Sequence, residues 1–272
     1  NKGGHQNVLL SRKAGYRNET GSDNVMIGDC AGYGDSGSGG TNQNYNVFIG
    51  KYAGYQNRSD HNIAIGLRAG EKIQTACCNI FLGPQAGRCA STGSNNFAAG
   101  YSALRESEGS HNQVIGHTAS FCNTTGCHNI SLGYLAGHLN NNASDAISIG
   151  QYANYCNKAG ANIAIGRKTS FHDDLVGNGF NVAIGDCAFM GGTNMGTRKH
   201  NVAIGIQAGG GSTAGLGNVF IGCYSGYCNG GGSANVYINR KAGYFNKTGH
   251  DNVMIGDCAG FCGGDQHCNV FI

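Results

Sequence analysis

One apolar pattern returns along the whole chain. It reads Asn, a branched apolar residue, any residue, Ile or Leu, then Gly. Its starts are Asn7, Asn24, Asn46, Asn62, Asn79, Asn96, Asn112, Asn129, Ala146, Asn162, Asn181, Asn201, Asn218, Asn235, Asn252 and Asn269. Fifteen of the sixteen starts are Asn, and the commonest step is 17 residues. Ala-Gly or a near match follows seven and eight places on, as at Ala53-Gly54, Ala86-Gly87 and Ala208-Gly209. Short segments rich in Val and Ile and stopped by Gly are strand signals. Helix is disfavoured, because the apolar runs are short and Gly interrupts every turn. Seventeen residues make two short strands and two turns, which is one coil of a parallel β-solenoid. The pattern therefore predicts an all-β fold, a parallel β-solenoid or β-roll of about 15–16 coils with ~17 residues per coil. Coils stacked ~4.8 Å apart give a rod roughly 70 Å long. Each coil is stabilised by its neighbours.

Counting the Asn as place zero, each place has a predicted role. Stacked Asn side chains form a hydrogen-bonded ladder. The Gly at place four permits a turn that a Cβ resists, and the Ala at place seven fits a tight interior. Alternate strand residues face opposite ways. Places one and three, as in Val25 and Ile27 or Val47 and Ile49, are expected to face inward. Place two then faces out, and fourteen of its sixteen residues are apolar or aromatic. A large outward apolar strip marks an interface. Met26, Phe48, Phe81, Phe220, Tyr237, Met254 and Phe271 are thus expected to join copies of the chain. The alternative is a strand covered by its own chain.

A second period lies above the first. The decapeptide DNVMIGDCAG at 23–32 returns at 251–260, and residues 1–33 match 229–261 at 23 of 33 positions. Residues 1–272 read as a single repeat array with a super-repeat of 228 residues: 1–228, then 229–272 as the beginning of a second copy. The sequence starts and stops inside the pattern, which reads as a window on a longer array or a processed piece of one.

Composition narrows the function. Gly supplies 49 of 272 residues, about 18 % against a usual ~7 %. Gly does not fall every third place, which excludes collagen. Charged residues are 12 % and apolar ones 40 %, which argues against disorder. The net charge of +3, without a Lys/Arg run, gives no nucleic-acid footprint. No stretch approaches the ~20 apolar residues of a membrane helix. Acidic residues and the ten His share no register, and the Gly-rich loops lack a P-loop lysine. No catalytic residue and no cofactor are expected. Cys262, Asp265, His267 and Cys268 lie close together, but not in a zinc spacing.

Thirteen Cys suggest an oxidised, extracellular protein. Cys122 with Cys127, and Cys262 with Cys268, share turns and are expected to form local disulfides. N-x-S/T sequons occur at Asn18, Asn57, Asn123, Asn142 and Asn246, where N-linked glycans are expected, and at the ladder residue Asn129, where none is. Four of them, Asn18, Asn57, Asn123 and Asn246, stand eleven places after a start, in an expected outer loop.

The repeats NIAIGLRAG (62–70), NVAIGIQAG (201–209) and NIAIGRKTS (162–170) resemble the head repeats of YadA-like trimeric autotransporter adhesins and related fibre proteins. The resemblance covers almost the whole chain. It implies a left-handed β-roll and three chains packed about an axis through one strand. The repeats here are longer than that family's and carry Cys. The expected function is a structural subunit of an extracellular or cell-surface fibre or filament, self-associating as a trimer or another homo-oligomer. The alternative is an adhesin or receptor-binding head, with a ligand held by loops 33–45, 171–180 and 189–200.

Overall fold

The structure is a computed structural model, and it describes all residues except 1–2, 35–42, 157, 159, 171–178, 192–195, 213 and 263. The three loops named above fall partly outside the described residues. Among the described residues there is no helix, and the fold is a parallel β-solenoid of about 14 turns with ~17 residues per coil. The chain divides into two compact units, Asn1–Leu132 and Gly133–Ile272. The division does not coincide with the super-repeat boundary at 228.

The first unit holds eight three-residue strands, from β1 (Val8–Leu10) to β8 (Ile130–Leu132). Each pairs in parallel with the next and in strict register, so that like places stack: Val8 on Val25, Met26 on Phe48, Phe81 on Ala98. The second unit holds ten strands, from β9 (Ile147–Ile149) to β18 (Val270–Phe271). Eight of these form one parallel sheet in the same register. The other two, β12 (Arg198–Lys199) and β14 (Gly215–Leu216), pair separately.

The strands are short because the turn chemistry on either side is fixed. At place four, Gly28, Gly50 and Gly66 have φ of 132°, 130° and 137°. A Cβ on Gly28 would lie 2.7 Å from the Gly50 carbonyl of the next coil. Only Gly both adopts that backbone and lets the coils approach so closely. The residue before each Asn is left-handed whatever its type, as at Asp23, Tyr45 and His61. Stacking overrides the local preference, which costs roughly 1–2 kcal/mol per residue.

The facing of the strands is opposite to the sequence expectation. Met26, Phe48, Phe81, Phe220, Tyr237 and Met254 are fully buried, and Phe271 is partly buried against the same core. Places one and three face out: Val25, Ile27, Val47 and Ile49 are only half-buried. The place-two residues are therefore core, not an interface strip. Their size is matched inside each coil by the residue at place eight. A Cβ on Gly54 would lie 2.7 Å from the Phe48 ring, on Gly87 2.4 Å from Phe81, and on Gly243 2.5 Å from Tyr237. In two coils with Ala at place two, place eight carries the bulk instead. Leu104 accompanies Ala98 and Phe189 accompanies Ala183, all four buried. In others, such as Ala64 with Gly70 and Ala203 with Gly209, both places are small. No coil carries a large side chain at both places, as close packing of the interior requires.

A buried ladder fixes the coils axially. Asn218 Nδ2 donates to Asn201 Oδ1 (3.1 Å) and, across its own coil, to Gly232 O (2.8 Å). Its Oδ1 accepts from the Asn235 backbone N–H (3.0 Å) and Nδ2 (3.1 Å). One amide thus closes its own coil and docks the next. Asn satisfies both demands because it is donor and acceptor at once. The same pattern holds at Asn112 in the first unit.

Candidate association surface

The outward face of each sheet is built from places one and three. In the first unit fifteen of these sixteen residues are apolar, Gln113 being the exception. In the second unit all sixteen are apolar. None of the thirty-two is buried. The alternation is sharp: Val114 has no exposed surface, while Ile115 beside it is 48 % exposed. β-Branched residues at both places suit a pleated strand. The register stacks them into two rows in each unit, aliphatic throughout except at Phe97, Ala99 and Gln113 in the first. Monomeric soluble proteins seldom leave so large an apolar surface in water.

The flanks are polar and lock coil to coil. Arg12 bonds Asp29 (2.9 Å), Arg167 bonds Asp186 (2.7 Å), and Arg240 bonds Asp257 (2.5 Å). In each pair the guanidinium hydrogen bond holds the aspartate below the usual carboxylate range. Cys30 and Cys187 follow two of these aspartates, and burial, aided by the Asp hydrogen bond, pushes both thiols up. Tyr237 is pushed up to about 12 by burial, its hydroxyl accepting from Asn246 Nδ2. Among the described residues no group of three or more His, Cys, Asp or Glu is placed to hold a metal ion.

The expected glycan sites separate into two kinds. Asn18, Asn57, Asn123 and Asn246 are fully buried, not in an outer loop. Asn18 Oδ1 accepts from Gly21 N (2.9 Å), Asn123 Nδ2 donates to Gly126 O (2.9 Å), and Asn57 Nδ2 donates to Ser59 O (2.6 Å). These asparagines tie the turn that ends each coil, as Asn side chains do in turns. A glycan on any of the four requires the turn to open. Asn142 alone of the five is exposed.

No two of the thirteen cysteines are bonded to each other in this structure, the two expected pairs included. Cys122 faces Glu106 of the preceding coil. Cys127 Sγ accepts from Ser110 N (3.3 Å) and donates to Thr125 O (3.5 Å). Stacking against the preceding coil, rather than closure of a local loop, directs both side chains. Cys262 and Cys268 are exposed and unbridged.

The sequence reading thus missed the residues that form the surface, of which Ile65, Ile115, Ile204 and Ile221 are among the most exposed. The signal that identifies them is the Gly at place eight behind every large place-two residue from Leu9 to Met254, which marks place two as interior. Comparison with protein-family models, curated proteins and solved structures finds no match to this chain.

Proposed function

We propose that this chain is a structural subunit of a fibre or filament, and that it associates with other copies through the aliphatic sheet face. The carrying observation is that thirty-one of thirty-two outward strand residues are apolar and none is buried within the chain. A flat face with one chemistry along its length suits a long partner of the same period, and another copy of the chain is such a partner. Isologous or cyclic packing would bury these rows as the core of an obligate interface is buried. The resemblance to YadA-like head repeats supports a trimer or another homo-oligomer at the cell surface or outside the cell. Asn142 remains the one candidate for a glycan.

The test is the mass of the full chain in solution, by light scattering, together with negative-stain electron microscopy. Association of the native chain is expected. Ile65→Lys with Ile115→Lys should give monomers with an unchanged far-UV circular dichroism spectrum. A native chain that is monomeric at micromolar concentration, or a doubly charged variant that still assembles, would overturn the assignment.

A further inference from the structure

A solenoid under tension is strengthened by covalent bonds from coil to coil. Such bonds need like residues at the same place in adjacent coils. The cysteines do not meet this need. At place ten, Cys89 and Cys122 are separated by Glu106, and Cys228 and Cys262 by Phe245. Two coils span roughly 9.6 Å, beyond the ~4.4–6.8 Å Cα separation of a disulfide. No other cysteine shares its place with a cysteine of the adjacent coil.

Tyrosine meets it at place nine. Tyr16, Tyr33 and Tyr55 form one column in the first unit, with ring centroids 5.2 and 5.0 Å apart and planes within 15° and 20°. Tyr227 and Tyr244 stack in the second unit at 5.2 Å and 23°. Backbone hydrogen bonds beside the rings hold the columns in place: Arg17 N–H on Tyr33 O, and Cys228 N–H on Tyr244 O, each 2.9 Å. None of the five rings is buried, so an oxidant reaches them from solvent. The torsion between Cβ and the ring is soft, so that neighbouring ortho carbons can turn toward each other.

We propose that these two columns are sites of oxidative cross-linking, joining adjacent coils through ortho–ortho carbon bonds between Tyr16, Tyr33 and Tyr55 and between Tyr227 and Tyr244. The oxidant class is hydrogen peroxide turned over by a haem peroxidase. Each phenol gives up one electron and one proton and becomes a phenoxyl radical. Two radicals form one carbon–carbon bond, and the ortho hydrogens shift to oxygen as the rings regain aromaticity. The pair thus loses two electrons and two protons in all. Peroxide takes up both, its O–O bond breaks, and two waters leave. Phe261 continues the second column, 5.1 Å from Tyr244, and having no phenol it ends the linkage. The purpose of the bonds rests on the fibre reading, while their formation does not.

The full chain, kept dilute, is treated with peroxide and a haem peroxidase, then examined by denaturing gel, dityrosine fluorescence and peptide mass mapping. The expected product has monomer size and is lighter by two hydrogens per bond. Its linked peptides contain Tyr16 with Tyr33, or Tyr33 with Tyr55, and Tyr227 with Tyr244. Tyr33→Phe keeps the stack but should abolish the first-unit link and leave the second-unit link as an internal control. Absence of linked peptides, links only between separate chains, or an undiminished first-unit yield in Tyr33→Phe would overturn the proposal. Because the links are read within single chains, their failure leaves association untouched. Failure of association likewise leaves the links untouched.

Discussion

The size pairing inside each coil makes a quantitative prediction about Phe48 and Gly54. Phe48→Ala empties a fully buried ring site and should cost about 3–5 kcal/mol. Gly54→Leu alone forces a side chain into space already filled, since even a Cβ would lie 2.7 Å from the Phe48 ring. Overpacking costs about 1–3 kcal/mol. The backbone φ of +57° at Gly54 adds roughly 1–2 kcal/mol for a residue with a Cβ. Independent effects would sum to about 5–10 kcal/mol in the double variant. The structure predicts a different result. Ala98 with Leu104 is the same pair in another coil, and Leu104 occupies φ +50° there. The double variant Phe48→Ala/Gly54→Leu rebuilds that arrangement. Its loss should fall to about 1–3 kcal/mol, mainly the cost of the left-handed backbone. The assay is urea unfolding of the four proteins of the cycle, followed by far-UV circular dichroism. Additive losses would refute the statement that the two places share one volume.

Three further outcomes are expected. Asn218→Ala strips the Asn235 N–H of its buried partner and leaves Gly232 O with Asn229 Nδ2 alone, which should cost about 1–3 kcal/mol in urea unfolding; no measurable loss would show the ladder is not structural. Tyr237, pushed up to about 12 from 10.0, stays neutral in the fold, so its contribution is intact below pH 10 and is lost as pH rises from 10 toward 12. Phenolate absorbance should therefore show a late tyrosine step near pH 12 that coincides with loss of structure and is absent in Tyr237→Phe. Maleimide labelling followed by mass spectrometry should modify exposed Cys262 and Cys268 first, and buried Cys30 and Cys187, whose thiols are pushed up, last; the reverse order would contradict the packing.

The period of the chain made the solenoid legible, because Asn, Gly and Ala recur where a coil needs an amide, a free turn and a small residue. Facing was not legible from apolar pattern alone. Places one, two and three are all apolar, so either parity gives an apolar interior. The missing information lay in the partner of each residue. Gly32, Gly54, Gly87, Gly226 and Gly243 follow Met or an aromatic ring, whereas Leu104 and Phe189 follow Ala. The sequons misled for a related reason. In Asn18, Asn123 and Asn246, the tripeptide N-x-T is followed by Gly, and that Gly marks a tied turn. The cysteines suggested disulfides when read along the chain. Read across the coils, they stand beside Glu, Phe and Ser.

Each coil carries everything it needs to close. Its Asn reaches its own backbone, a large side chain at place two finds a Gly in the same coil, and its upper surface presents the same amide acceptor, Ala146 marking the one exception. A coil can therefore be inserted, removed or traded without disturbing the fit of those above and below, and the length of such a molecule is free to drift. A gene of this kind works like a tape measure. Exchange between coils of like register keeps the stacking surface, and selection is left to choose how far the chain reaches.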